Sequence, residues 1–238
     1  MPKPARSRTT SAKPPSGQPA LIFDLDGTLI DSVYQHTLAW REALYREGIS
    51  LPGWLIHRRI GMSGGLLVRT LVRETGRKVD HRLVEHLQRL HSQELKKRWP
   101  EVRALPGAAE LLAALSAAGV RWAIATSGTR EGAQKAMAML GVKRVLLVTR
   151  DEVSRAKPDP DLFLEAARKL RTDLPDCVVV GDSVWDLLAA RRAKALGVGQ
   201  LSGGFGEDEL LKAGAYRVYQ DPEDLLHHLD EIGIRGSA

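Results

Sequence analysis

Short apolar runs alternate with amphipathic segments along most of the chain. The first run of strand length covers residues 20–23, and further runs follow at residues 121–126, 145–148, 177–181 and 198–201. Strands that are apolar throughout, without alternating polar positions, are typical of a parallel sheet covered by helices on both faces. These runs therefore predict the central sheet of the protein.

Helical patterns, with apolar residues three or four positions apart, separate the later runs. They lie at residues 107–118, 130–140, 160–170 and 185–196. Strands that alternate with helices of this length indicate an α/β fold, here a doubly wound, Rossmann-like parallel sheet.

The segment between the first two strands departs from this alternation. Residues 32–105 contain no strand-like run and only helical patterns, such as those at residues 64–75 and 79–99. The segment is far too long for an ordinary connection. We predict that it is a helical cap domain standing over the carboxyl ends of the strands, where ligands bind in open α/β sheets. Residues 20–31 and 106–238 then form the α/β core domain.

The composition, with 43% hydrophobic and 27% charged residues, is that of a soluble globular protein. No run of about 18 apolar residues is present, so no membrane span is expected. The single cysteine, Cys177, cannot form an internal disulfide. A reducing compartment fits this cysteine usage, and we expect a cytoplasmic protein.

The net charge of +6 raises the question of a nucleic-acid partner, but its distribution argues against one. Four of the positive charges, Lys3, Arg6, Arg8 and Lys13, lie in residues 1–19, which contain no acidic residue and no hydrophobic periodicity. This segment is predicted to be a disordered basic tail. Since the chain has few aromatic residues and no recognisable reading motif, no nucleic-acid partner is expected.

Two carboxylates follow the first strand directly, in Asp24-Leu25-Asp26-Gly27. Carboxylates two positions apart at a strand end can take different roles, one as an ionised nucleophile or metal ligand and the other as a proton donor or acceptor. Asp and Gly are also common in surface turns, so the motif alone leaves a structural interpretation open. Its position behind a buried strand favours a functional site.

Two further segments suit an anionic group. Thr126-Ser127-Gly128 comes between a strand and a helix, where a hydroxyl and free backbone N–H groups can bind phosphate, although an ordinary helix cap has the same residues. Lys157 precedes Pro158 in a rigid turn that can hold its ammonium group against a transferring phosphoryl group. A solvated surface lysine is the alternative.

A second pair of carboxylates, Asp182 and Asp186, follows the predicted strand at residues 177–181. The two residues are one helical turn apart, so both can reach one cation, and carboxylate oxygens are ligands that Mg²⁺ prefers. Helix capping explains Asp182 equally well.

Each of these segments lies at the carboxyl end of a separate predicted strand. In this order they resemble the four motifs of the haloacid dehalogenase superfamily, and the resemblance covers about residues 20–230. It implies that Asp24 attacks phosphorus to form an aspartyl-phosphate, while Asp26 protonates the leaving alcohol and then activates water. Dehalogenases proper lack an aspartate at the second position, so Asp26 indicates phosphoryl transfer.

The resemblance also implies which residues bind the phosphate and the metal. The phosphoryl oxygens would be bound by Thr126, Ser127, Gly128 and Lys157. Mg²⁺ would be held by Asp24, the backbone carbonyl of Asp26, Asp182 and Asp186.

The predicted cap resembles that of the phosphoglycolate phosphatase and β-phosphoglucomutase group. Asp31-Ser32 followed by His36 looks like the hinge and first cap helix of that group, and the segment around Arg58 and Arg59 looks like its specificity loop. The resemblance implies that His36 and Arg59 contact the substrate. A packing histidine and a solvated arginine are the alternatives.

We therefore expect a Mg²⁺-dependent phosphatase that hydrolyses a small phosphate monoester, such as phosphoglycolate or a sugar phosphate. A phosphosugar mutase of the β-phosphoglucomutase type would use the same aspartyl-phosphate. A non-catalytic protein that binds a phosphate ligand is the alternative of another class, and the presence of both Asp24 and Asp26 argues against it. The expected partner is a small phosphorylated metabolite, and both a monomer and a homodimer remain open.

Overall fold

The structure, a computed structural model, describes residues 17–143 and 145–235. Its strands are β1 (Ala20–Phe23), β2 (Ile30–Asp31), β3 (Arg103–Ala104), β4 (Trp122–Thr126), β5 (Leu146–Thr149), β6 (Cys177–Gly181), β7 (Leu196–Gln200) and β8 (Ala215–Tyr219). Its helices are α1 (Val33–Arg46), α2 (Gly53–His57), α3 (Gly64–Glu74), α4 (His81–Arg98), α5 (Ala108–Ala117), α6 (Arg130–Met139), α7 (Asp161–Leu170), α8 (Val184–Arg192), α9 (Glu207–Ala213) and α10 (Pro222–His227).

The main sheet has six parallel strands in the order β5-β4-β1-β6-β7-β8, with helices on both faces. Alternate residues of β1 pack against opposite layers. Leu21 and Phe23 share a core with α5 and α6, whereas Ala20 and Ile22 share one with α7. A strand covered on both faces needs apolar side chains at every position. The predicted doubly wound α/β fold is confirmed.

Helices α1–α4, called the cap helices below, lie between β2 and β3 and have a hydrophobic core of their own. Its buried residues include Leu44, Leu67 and Leu87. Strands β2 and β3 pair antiparallel, with Ile30 opposite Ala104, so the chain enters and leaves the cap helices at neighbouring points. The domain boundaries given above stay a prediction, and residues 1–16 of the predicted basic tail lie outside the described residues.

Several elements differ from the sequence prediction, among them β3, α8 and β8. Strand β3 lies inside the segment predicted to lack strands, because two residues are too few to show as an apolar run. The helix predicted at residues 185–196 ends at Arg192, since Lys194 adopts a φ of 59° and Leu196 already begins β7. Strand β8 has no counterpart among the predicted strands. In the part of the chain that the structure describes, no helix combines the length and the apolar character needed to cross a membrane.

Candidate active site

The carboxyl edge of the sheet brings together predicted site residues from neighbouring strands. Asp24 follows β1, Thr126 ends β4 and Asp182 follows β6, while Lys157 comes from the loop between β5 and α7. All four side chains are buried. The amide of Asp24 donates to the carbonyl of Val180 over 2.9 Å, which fixes the start of its loop beside β6.

Three aspartates form a buried acidic cluster at this edge. One carboxylate oxygen from each of Asp24, Asp182 and Asp186 lies within 4.8 Å of the others. The ammonium group of Lys157 pairs with Asp24 Oδ1 and donates to Asp186 Oδ1 at 2.8 Å. The ammonium group pairs with two of the three carboxylates, so the cluster carries negative charge in excess when all three are ionised.

The ionisation of these groups reflects that excess. Burial raises the pKa of Asp24 to about 7, with Lys157 opposing the rise and Asp186 adding to it. Burial and the neighbouring carboxylates Asp186 and Asp24 raise the pKa of Asp182 well above its usual range. A further cation would relieve this repulsion, and a donor set made only of oxygen fits a hard divalent ion such as Mg²⁺.

Asp182 is held in place by its surroundings. The hydroxyl of Thr28 donates to Asp182 Oδ1 at 2.8 Å. Gly27 has a φ of 85°, and a Cβ atom at that position would lie 2.5 Å from Asp182 Oδ2. Only glycine allows this loop to pass so close to the carboxylate.

Asp26 lies in a different environment, where several donors surround its carboxylate. Ser32 Oγ donates to Asp26 Oδ1 at 2.7 Å, His36 Nε2 lies 3.2 Å from the same oxygen, and Thr126 Oγ1 lies 3.5 Å from Oδ2. Burial raises the pKa of Asp26, but the charge and hydrogen bond of His36 and the hydrogen bond of Ser32 outweigh it and lower the pKa to about 2. The carboxyl group of Asp26 is therefore ionised in the protein without substrate.

His36 is positioned by a second histidine. Its Nδ1 lies 3.2 Å from Nε2 of His91, a residue of α4. The ring of His91 stacks on that of Trp40, with ring centroids 4.1 Å apart. This stack fixes the ring of His36 beside Asp26.

The predicted phosphate-binding segment is ordered by its own hydrogen bonds. The amide of Gly128 donates to Thr126 Oγ1 at 2.9 Å. Ser127 Oγ donates to the carbonyl of Gly61 at 3.1 Å, so this hydroxyl joins the core to the loop before α3. Thr126 and Gly128 remain beside the carboxylate of Asp26.

A cavity of about 160 Å³ lies between this edge and the cap helices. Its polar wall includes Asp24, Asp26, Thr126 and Lys157. Much of the remaining wall is apolar and comes largely from the cap helices and their connections, with Trp40, Met62, Leu67, Leu95 and Trp99 among the lining residues.

Arg59, a predicted substrate contact, is not brought to the cavity. Its guanidinium group pairs with Glu74 of α3, with 3.4 Å between Nη2 and Oε1. The neighbouring Arg58 pairs with Glu209 and lies over the ring of Phe205, 4.3 Å from its centroid. Both arginines are thus paired away from the cavity in this structure, and the contact of Arg59 with the substrate stays a prediction.

Among the polar lining residues that the sequence analysis did not single out are Gln88, His91 and Arg150. Arg150 directly follows β5, just as Asp24 follows β1 and Asp182 follows β6. Its place after a strand could therefore have identified it from the sequence. Gln88 and His91 lie on α4, and the sequence does not show which face of that helix meets the core.

A doubly wound parallel sheet with a carboxylate cluster, a buried lysine and a cavity at its carboxyl edge is the arrangement of an α/β protein that binds its ligand at that edge. A family model described as haloacid dehalogenase-like hydrolase matches residues 19–194. The chain belongs to this family, and it is an enzyme of the phosphatase class within it. The resemblance stated from the sequence is confirmed.

The chain is similar to several proteins along most of its length. A solved structure of a hydrolase from Pseudomonas syringae is 52% identical, with a TM-score of 0.88, and the match covers 90% of this chain and 99% of that one. Validoxylamine A 7'-phosphate phosphatase of Streptomyces hygroscopicus is 30% identical over 75% of this chain and 83% of its own. N-acetylmuramic acid 6-phosphate phosphatase of Pseudomonas aeruginosa is 32% identical over 89% and 94%.

Proposed function

We propose that the protein is a Mg²⁺-dependent phosphatase that hydrolyses a small phosphate monoester through an aspartyl-phosphate on Asp24. The observation that carries the proposal is the contrast between two neighbouring carboxylates. Asp24 is buried against the ammonium group of Lys157, whereas Asp26 is surrounded by hydrogen-bond donors. Carboxylates with such different environments can divide the roles of nucleophile and acid–base group.

In the first half-reaction a carboxylate oxygen of Asp24 attacks phosphorus, and the bond from phosphorus to the alcohol oxygen breaks. Thr126, Gly128 and Lys157 bind the phosphoryl oxygens. The leaving alcohol takes a proton from Asp26. Although Asp26 is ionised in the free protein, a phosphate dianion beside it raises its pKa, so the carboxyl group can carry this proton in the complex.

In the second half-reaction Asp26 accepts a proton from water, whose oxygen attacks phosphorus. The bond between phosphorus and Asp24 breaks, which releases inorganic phosphate and restores the carboxylate. Asp26 has by then given its proton to the alcohol, so its carboxylate can accept one from water, and Ser32 and His36 orient it.

Mg²⁺ would be held by Asp24, the backbone carbonyl of Asp26, Asp182 and Asp186. When bound, it supplies positive charge that offsets the repulsion between the attacking carboxylate and the phosphate dianion.

The proposed substrate is a small metabolite. A volume of about 160 Å³ is small for a ligand pocket, and the relatives named above are phosphatases of small phosphorylated compounds. His36 lines the cavity and stays a proposed substrate contact. Ser127, whose hydroxyl is bonded to Gly61, is proposed to contribute through its backbone. The cytoplasmic location and the oligomeric state remain predictions.

The test is phosphate release from a panel of phosphate monoesters, with and without Mg²⁺. We expect release that depends on Mg²⁺ and that falls by roughly a thousandfold or more in Asp24→Asn, because the amide is a poor nucleophile. Asp208→Asn, which changes an aspartate that is 88% exposed on α9, is the matched control and should keep the activity. Absence of release from every ester would overturn the proposal, and isomerisation of a sugar phosphate without release would replace it with a mutase.

A further inference from the structure

Arg150 is a charged residue of the cavity wall that the proposed reaction does not use. Its backbone N–H donates to the carbonyl of Gly128 at 3.4 Å, which places it next to the phosphate-binding segment. Its side chain forms an ion pair with Asp151, but the 3.7 Å between Nε and Oδ1 is too long for a hydrogen bond. The guanidinium group therefore lacks a close carboxylate partner among the described residues.

The close partner of Arg150 is a neutral amide from the cap helices. With its amide oxygen turned toward the donors, Gln88 accepts from Arg150 Nη1 at 3.1 Å and from the backbone amide of Gly65 at 3.2 Å. A neutral acceptor orients the guanidinium group without neutralising it, and Asp151, at 3.7 Å, is the carboxylate paired with it among the described residues. Gln88 of α4 thus orients the positively charged guanidinium group of Arg150 at the wall of the cavity.

The charges along the cavity are distributed unevenly. Among the described residues, its lining carboxylates are Asp24 and Asp26, and these are paired with Lys157 and His36. Arg150 adds a positive charge that no lining carboxylate offsets. A substrate with a negative charge at this position would form charge-assisted hydrogen bonds with the guanidinium group.

The position of Arg150 also sets the length of such a substrate. Strand β5 is two strands away from β1, so the backbone after β5 lies about 10 Å from the backbone after β1, at ~4.8 Å per strand. The side chain of Arg150 covers part of that distance. The remainder fits a chain of a few carbon atoms between two charged groups.

We propose that Arg150, oriented by Gln88, binds a second anionic group at the end of the substrate remote from the ester phosphate. That group is a carboxylate or a second phosphate. This proposal rests on the phosphatase function given above and names its substrate class as phosphate monoesters with two anionic ends.

The test compares 3-phosphoglycerate with glycerol 3-phosphate, which differ only in a carboxylate against a hydroxymethyl group, and includes glycerol 1,3-bisphosphate. 3-Phosphoglycerate and glycerol 1,3-bisphosphate each carry an anionic group at both ends. We expect kcat/KM for the better of these two to be about 10- to 100-fold higher than for glycerol 3-phosphate, because charge-assisted hydrogen bonds contribute binding free energy of that size. The better one identifies the anionic group.

Two variants assign that preference to Arg150. Arg150→Gln removes the positive charge. It should bring kcat/KM for the substrate with two anionic ends close to that for glycerol 3-phosphate, chiefly by raising KM for the former. Gln88→Glu keeps Arg150 but gives it a carboxylate of its own, so the ratio of these two kcat/KM values should fall as well. Arg168→Gln, at an arginine of α7 that is 71% exposed, is the matched control and should keep the ratio.

Different failures separate the two proposals. Equal hydrolysis of glycerol 3-phosphate and the substrates with two anionic ends would overturn the proposed site for a second anionic group. The same holds if Arg150→Gln lowers kcat/KM for all of them by the same factor. In both cases the proposed phosphatase function stands. If none of the three releases phosphate while other monoesters do, this substrate class is wrong. No release from any ester overturns both.

Discussion

At Gly203 the chain passes directly over the carboxylate of Asp182. A Cβ atom built at this position would lie 1.8 Å from Asp182 Oδ2, far inside van der Waals contact. The carbonyl of Gly203 also accepts from His57 Nε2 over 2.8 Å, which ties the loop to the cap helices. Neither the loop nor the carboxylate can move away without losing a contact.

We predict that Gly203→Ala displaces Asp182 and lowers the affinity for Mg²⁺ by about tenfold or more, as changes next to metal ligands commonly do. Calorimetric titration with Mg²⁺ measures this directly. The matched control is Gly206→Ala, three residues further along, where the nearest heavy atom to a new Cβ lies 3.6 Å away. Equal Mg²⁺ affinity in the two variants would show that Asp182 does not hold the metal.

Most site residues that the sequence analysis found stand at the ends of strands, whereas Gln88 and His91, which it missed, lie on a helix. Asp24, Thr126 and Asp182 stand at the ends of buried strands, and the topology of a parallel sheet brings such ends together. Arg59 is polar and lies near the expected loop, but its partner Glu74 is decided by the tertiary arrangement of α3. Contacts that depend on how helices face each other are not encoded in local spacing.

On the scale of the elements, α1 and α4 are joined by a buried carboxylate. Glu94 of α4 is only 4% exposed, and its Oε1 lies 2.6 Å from Arg46 Nη2 of α1 and 2.7 Å from Lys97 Nζ. The hydrogen bond from Lys97 lowers the pKa of Glu94 below its usual value of 4.5, and Arg46 adds to the effect. The carboxylate therefore stabilises the packing of the cap helices in its ionised form.

We predict that Glu94→Gln lowers the free energy of unfolding by about 1.5–3 kcal/mol at neutral pH, the range for hydrogen bonds to charged groups. Because the pKa of Glu94 is lowered in the folded state, its contribution is present above pH 4.5 and is lost as the pH falls through the folded-state value. The difference from the unmodified protein should therefore narrow below pH 4.5.

Denaturant unfolding at a series of pH values measures this difference. Glu85→Gln is the control on the same helix, since Glu85 is 54% exposed and pairs only with His81 among the contacts described. The account of Glu94 would fail if both variants unfolded at the same denaturant concentration.

The apolar runs predicted most strands well because both faces of the sheet are covered. Residues 177–181 match β6, and residues 130–140 match α6 to within one residue. The sequence did not predict the pair of β2 and β3, because each strand has only two residues and the whole helical insertion separates them in the sequence. Strand β8 lies at the edge of the sheet, where its partly exposed sequence no longer reads as an apolar run.

For the molecule as a whole, the sequence predicted a helical insertion over the carboxyl ends of the strands but not its individual contacts with the core. The structure shows several direct contacts between the two. Trp185 Nε1 donates to the carbonyl of Arg58 at 3.3 Å, and the amide of Ser63 donates to the carbonyl of Lys157 at the same distance. These contacts hold the cap helices over the acidic cluster.

The protein as a whole is proposed to transfer a phosphoryl group from its substrate to Asp24. The most direct measurement is to stop the reaction with acid during turnover of a hydrolysed monoester in the presence of Mg²⁺. The protein is then digested, and its peptides are examined by mass spectrometry. We predict the added mass of one phosphoryl group on Asp24, absent without substrate and absent in Asp24→Asn. An unmodified Asp24 in samples that contain a phosphoryl group on another residue would contradict the account.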